Sequence, residues 1–413
     1  MAVASNTFKT SDLVARTALK VLRNQFILTS RSTNNVAETF GLKGRKAGET
    51  IRVKVPPRFI SATGAAVQKN NIVEDTVSLT LIQRNIGLGV LSKDATLSID
   101  GLEQYVAPAM AQLASDIDKD GFALYYKAEN LVTPGAYSSG SPAAFTGADV
   151  ATLKPFLDAK ARLAEKGAPE DGSLYVAITP SVSAGLVDAL KGLFQSSSEI
   201  ADQYKRGLMG MAAGFEFLQT QTLPTHTTGT RTNVTPLVDG ASQVGTSLVV
   251  KGAGNAVTVK RGDQFTLAGV YAINPLTRTA TNKLQVFSVQ ADATTSAGGA
   301  VTLSILPSIN VTSPNQTVSA TAADGATLLW MGANGVSSEV SIAWHKDAML
   351  VAFMDLESDL AGATVGKATD PVTGLTVRVV EQYNVETDEV VRRVDVLYGF
   401  AVARGALMAR IQG

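Results

Sequence analysis

The 413-residue chain has no cysteine. That excludes disulfides, thiolate metal sites and thiol catalysis. Histidine is almost as scarce: His226 and His345 are the two present. His226 follows a proline in a Thr-rich connector and His345 sits beside Trp344 in a strand-like run. Neither has Asp or Glu at metal-ligand spacing, so both are expected to be structural. Charge is thin as well, at 17% of residues, against about 25% in ordinary soluble domains. A surface so poor in charge points to assembly, in which much of it is covered by neighbours. The charges also cancel, 36 basic against 36 acidic. Gripping nucleic acid through its phosphates calls for a basic excess or stripe, and this sequence has neither. If the chain encloses DNA, it does so as a container. No run approaches the ~18 uninterrupted apolar residues of a membrane span. Residues 1–12 lack the apolar core of a signal peptide.

What is present suits a folded chain of two or three domains: 45% of residues are hydrophobic, and a domain takes about 100–200 residues. Both ends are expected to be held by neighbours, since free termini fray. Residues 11–29 space Leu13, Val14, Ala18, Leu19, Leu22 and Phe26 as an amphipathic helix. Ile51-Arg-Val-Lys-Val55 and Thr76-Val-Ser-Leu-Thr-Leu81 alternate with period two. With the polar stretch 61–71 between them, and with strand character running to 90, they predict a long two-stranded finger. An isolated hairpin is marginal in water, so the finger needs another surface to lie on.

Asp100 and Glu103 have capping-box spacing. Apolar residues then continue to about Asn130, predicting a helix of ~30 residues that bends at Pro108. A helix over 150–166 ending at Gly167, the strand Leu174-Tyr-Val-Ala-Ile178, and a helix opened by Thr179-Pro180 form an α+β module. From 225 to about 338 the composition shifts to Thr, Ser, Gly, Ala and Val. Short strands are predicted at 247–250, 257–260, 264–267, 284–289 and 301–305, a pattern of a compact β-barrel or sandwich. There Phe265, Leu267 and Val270 should be core, with Lys260, Arg261 and Asp263 in a solvated turn. Residues 340–353 return to strand character, and 375–383 with 389–398 form a long hairpin.

Signals of chemistry are weak. Gly87-Leu-Gly89 and the glycines of 207–214 lack a phosphate-loop pattern. Gly172-Ser173 lacks the nucleophile-elbow context. Asp116-Ile-Asp118-Lys-Asp120-Gly121 faintly resembles a calcium loop but has no closing acid, so a solvated helix face is expected. No catalytic, cofactor-binding or metal residue is assigned, and no cofactor.

The order of parts resembles the Hong Kong-type fold of tailed-phage and herpesvirus capsid proteins. It is most similar to podophage coat proteins that carry an inserted β-barrel. The likeness is carried by Val259-Lys-Arg-Gly-Asp-Gln-Phe-Thr-Leu-Ala-Gly-Val270, by Ala213-Gly-Phe215 with Leu223-Pro224, and by Ala161-Arg-Leu-Ala-Glu-Lys-Gly-Ala-Pro169 with 174–180. The implied architecture is α+β. It has an N-terminal arm with a helix (1–48), an extended β-hairpin loop with peripheral-domain strands (49–95) and a peripheral domain with a spine helix (96–144). An axial domain (145–224) is interrupted by an all-β barrel (225–339), and 340–413 completes the axial domain and returns to the peripheral one. The implied function is that of a major capsid protein enclosing double-stranded DNA in an icosahedral shell. Its implied partners are copies of itself in pentamers and hexamers, a scaffolding protein, a portal and a decoration protein. Packaged DNA is contacted non-specifically at most, and no membrane is involved. Two other readings stay open at this point: an encapsulin-like nanocompartment shell and a secreted β-rich adhesin or surface-layer protein.

Overall fold

The computed structural model describes residues 10–34, 50–55, 57–59, 61, 63–64, 69, 75–91, 102–134, 150, 152–190, 210–231, 235–312, 314–360, 362–371 and 373–413. They fall into two compact units: Met1–Lys54, Thr76–Gly121 and Leu350–Ala401 in one; Val55–Asp75, Phe122–Met349 and Val402–Gly413 in the other.

In the first unit the helix Thr10–Gln25 buries Ala15, Ala18 and Leu22, followed by Phe26, the stripe expected of an amphipathic helix. The helix Leu102–Phe122 buries Val106, Met110, Leu113, Ala114 and Ile117, with Pro108 inside it. Both share one core with Val351, Phe353, Val377, Val379, Val394 and Val396 of an antiparallel sheet. That sheet orders Met349–Met354, Glu389–Val402, Thr376–Asn384 and Thr364–Thr369. The predicted hairpin is there, paired from Arg378↔Asp395 to Asn384↔Glu389.

Two expectations need correction. Thr50–Val55 does pair with Asp75–Thr80. Ile82–Leu91, however, leaves that ribbon and runs antiparallel to Glu389–Val402, from Ile82↔Tyr398 to Leu91↔Glu389. Alternation of apolar residues marks a strand without naming its partner, which tertiary contacts decide. The second concerns the long helix, which turns from α to 3₁₀ over Ala123–Lys127 instead of continuing to Asn130. Gly121 closes the α portion where the backbone passes Leu28 and Phe400, so tightly that a Cβ would lie 2.4 Å from Leu28 Cδ2. Asp100 and most of the finger tip lie outside the described residues, as do residues 1–9.

In the second unit a mixed sheet orders Asn130–Val132, Met408–Ile411, Ser341–His345, Leu174–Ile178, Phe215–Gln219 and Met211–Ala212. The helices Lys154–Glu165 and Pro180–Leu190 bury Phe156, Ala159, Leu163, Val182 and Leu186 in the same core. Gly167, with φ of +81°, ends the first helix. The Ala168 N–H donates to the Leu163 carbonyl and the Gly167 N–H to the Ala164 carbonyl, each 2.9 Å, which satisfies the orphan acceptors of the last turn. Thr179 caps the second helix by accepting from the Val182 N–H.

The segment 225–339 holds a six-stranded sheet, ordered Leu328–Met331, Gln264–Ile273, Ala280–Val289, Val301–Ile309, Gly245–Lys251 and Leu237–Val238. A Leu237↔Thr327 bridge brings its two edges together into a nearly closed barrel. Phe265 stacks on Phe287 at 5.6 Å and meets Trp330 edge-on at 5.3 Å in the interior. Leu267 and Val270 are buried there as expected. Leu328–Met331, Leu237–Val238 and three further two- or three-residue strands were too short to be read from pattern. The run 340–353 is two strands in different sheets, Ser341–His345 and Met349–Met354, with a 3₁₀ turn between.

Candidate functional site

Where the barrel segment rejoins its host sheet, a polar cluster is buried. It draws residues from five parts of the chain that lie far apart in sequence. His226 sits on the short strand Thr225–Thr227, which pairs with Ser337–Glu339 through His226↔Ser338. Its Nε2 is 3.2 Å from Asp263 Oδ1 and its Nδ1 is 3.0 Å from the Tyr125 hydroxyl. The carboxylate can only accept, so Nε2 carries the proton and Nδ1 accepts from the tyrosine. Asp263 also accepts from the backbone N–H groups of Lys260 at 2.9 Å and Gly229 at 3.2 Å. From the C-terminal strand, Arg410 lies over the Tyr125 ring at 4.9 Å and donates to the Gly262 carbonyl at 2.6 Å. It donates equally to Gln412, which in turn donates to Ser338 Oγ at 2.8 Å.

Burial sets the electrostatics. Loss of solvent pushes the His226 pKa below its ordinary value, with the Asp263 hydrogen bond opposing and the Arg410 and Arg231 charges adding. Burial also pulls Arg410 down to about 10 against the attraction of Tyr125 and Asp263. Asp263 is pushed up by burial, yet the His226 hydrogen bond and the Arg231 charge together hold it below the ordinary carboxylate value.

An Asp–His–Tyr chain is a relay geometry, but here it is closed off from solvent. His226 is 2% exposed, both ring nitrogens are engaged, and the Arg410 guanidinium covers the tyrosine ring. Its chemistry is that of a satisfied polar knot. His345 is likewise locked, with Nε2 3.2 Å from Asp171 Oδ1 and Nδ1 accepting from the Asp347 N–H. Among the described residues no group of three or more His, Asp or Glu could hold a metal ion.

The turn residues divide. Lys260 and Arg261 are exposed, with Lys260 3.3 Å from Asp292 and Arg261 over the Tyr126 ring. Asp263 is 1% exposed, which corrects the expectation of a solvated carboxylate. Gly262, with φ of +93°, supplies the left-handed turn that carries Asp263 back beneath its own loop. The calcium-like run is corrected too. Asp116 and Asp120, four residues apart, share a face and both meet Arg84, whereas Asp118 is buried on the other side. Asp118 accepts from the N–H groups of Ile27, Leu28 and Thr29 and from the Thr29 hydroxyl.

The family model described as P22 coat protein, gene protein 5, matches residues 4–409. No curated protein matches the chain. Among solved structures it is similar to a chain of Mycobacterium phage Che8 at 12% identity and a TM-score of 0.46, covering 94% of this chain and 90% of that one. For the bacteriophage PhiM1 mature capsid the values are 10% and 0.41, covering 89% and 83%. For the I-domain of the CUS-3 coat protein they are 21% and 0.19, covering 25% of this chain and 98% of that one. The match that runs almost from end to end is decisive: the chain belongs to the P22 coat protein family and is a major capsid protein, forming the icosahedral shell of a tailed-phage virion.

Proposed function

We propose that the subunit acts without chemistry of its own, through contacts with copies of itself in pentamers and hexamers. In this reading a procapsid forms around a scaffolding protein, and DNA enters through a portal and touches the shell non-specifically at most. A decoration protein would bind from outside. The family match over residues 4–409 is the observation that supports it. The low charge density and the locked state of both histidines agree with it. Within the subunit, 49–95 would supply the loop that reaches a neighbour together with peripheral-domain strands, Ile82–Leu91 among them. Residues 96–144 would form the rest of the peripheral domain, and 145–224 with part of 340–413 the axial one. The arm 1–48 would tie subunits together. The barrel, 225–339, would stabilise the subunit and set contacts between capsomers.

The test is co-expression with a scaffolding protein, followed by sedimentation and electron microscopy. Closed shells or shell-like particles are expected, and a stable monomer alone would contradict the reading. Deleting residues 60–73 should leave the subunit folded and impair shell formation. A lowered unfolding temperature with intact assembly would show the finger to be an internal hairpin.

A further inference from the structure

The unit containing the barrel has two separate hydrophobic cores. One is made wholly by the barrel segment and includes Leu248, Phe265, Phe287, Leu303 and Trp330. The other belongs to the host sheet and its helices, with Phe156, Leu163, Val176, Phe215 and Ile411. Between them, among the described residues, a small buried apolar cluster joins Leu131 of the host to Val286 and Met331 of the barrel.

Polar contacts cross the same surface. Ser288 Oγ donates to the Tyr126 carbonyl at 2.6 Å, and Lys166 Nζ donates to Gln285 Oε1 at 2.7 Å. The Arg410–Gly262 bond crosses the same surface. Gln264 and Thr266 flank Phe265 on one strand, so their side chains leave the barrel where that of Phe265 enters it. Their cross-strand partners include Met331, Ser288 and Val286, which places them on the face turned to the host. Gln264 is 2% exposed and Thr266 1%, yet neither polar atom of the Gln264 amide nor the Thr266 hydroxyl has a hydrogen-bond partner in the protein. The same is true of Arg410 Nε.

Buried polar atoms without partners destabilise a closed interface and regain hydrogen bonds when water reaches them. The buried apolar cluster given up on opening holds three of the described residues. The two connections are also joined to each other, because Thr225–Thr227 and Ser337–Glu339 form a two-stranded ribbon that can turn as one neck.

We propose that the barrel undocks from the host sheet as a folded body, pivoting on this ribbon while both cores stay closed. Such a joint lets one sequence hold its barrel in different positions among neighbours that are not equivalent in a shell. It is a property of the single subunit and does not depend on the partners proposed above.

The chain has no cysteine, so a single introduced thiol reports its own site. Thr266→Cys probes the junction, Val289→Cys the barrel core and Val176→Cys the host core; all three positions are at most 1% exposed. In the full-length unassembled subunit under native conditions, Thr266→Cys should be labelled by a thiol reagent at least tenfold faster than the other two. Ser288→Cys, isosteric with the native serine, should behave like Thr266→Cys and serves if the latter misfolds. Adding Arg410→Met should speed junction labelling and leave Val289→Cys unchanged. One common rate for all sites, or junction thiols no faster than core thiols, would mean that the junction opens only on unfolding and would overturn the proposal.

Discussion

Arg378 and Asp395 face each other directly across the hairpin of the first unit, and the arginine donates through Nη2 at 2.7 Å and Nε at 3.3 Å to the same carboxylate oxygen. Asp395 is fully buried, and its other oxygen accepts from Arg393 at 2.6 Å and Gln83 at 3.3 Å. One carboxylate therefore ties together both strands of the hairpin and the strand Ile82–Leu91 beside it. Removing the carboxylate leaves the buried Arg378 guanidinium without its charge partner.

Asp395→Ala is accordingly expected to cost about 3–5 kcal/mol, the range for breaking a buried ion pair from one side. Chemical denaturation of the isolated subunit measures it. A change below ~1 kcal/mol would mean that water replaces the carboxylate at little cost.

Asp118→Ala should also be strongly destabilising, because it strips three backbone N–H groups and the Thr29 hydroxyl of their acceptor. Loss of ~3 kcal/mol or more is expected, from ~1–3 kcal/mol for each buried group left unpaired. Asp116→Ala, on the exposed face two residues away, should stay within about 0.5 kcal/mol. Equal effects would remove the distinction drawn between the two faces.

The pH dependence follows from His226. Its folded-state pKa lies below the ordinary 6.5 because burial disfavours the cation. The unfolded chain therefore binds the proton more readily. The stability from the neutral ring is fully present above the unfolded pKa and is lost as pH falls from there towards the folded value. Between about pH 7.5 and pH 5 the native chain should lose more stability than His226→Gln, whose side chain does not titrate. Parallel curves from thermal or denaturant unfolding would contradict this.

Gly399→Ala places a methyl 2.6 Å from the Thr80 carbonyl oxygen and 2.4 Å from Leu79 Cδ2. Overpacking of that kind should cost about 1–3 kcal/mol. Gly87→Ala on the same sheet meets nothing within 4 Å and should be close to neutral. Comparison of melting temperatures decides; equal values for both variants would show that the backbone yields freely at 399.

Local chemistry alone determined several elements, and these were legible in the sequence. The Leu174–Ile178 strand, the Thr179-Pro180 helix start and the Gly167 stop each follow from a few adjacent residues. So does the hairpin of Thr376–Asn384 and Glu389–Val402, with alternating residues on either side of a polar turn. The barrel was legible as a change of composition, and the family through the motif around Lys260 to Val270.

Tertiary structure alone decided the rest, for one physical reason. Whether a charge is buried, and which strand pairs with which, depends on groups brought from elsewhere in the chain. From sequence Asp263 reads as solvated because its neighbours are Lys260 and Arg261, but its partner His226 is 37 residues away. Ile82–Leu91 alternates like its finger neighbours, and only the long Glu389–Val402 edge made it part of another sheet. Asp118 lies between two. Helical geometry places it ~200° round from Asp116, so the sequence held the signal that the two face opposite sides. What lay on the far side, the orphan N–H groups of Ile27, Leu28 and Thr29, only the packed structure could supply.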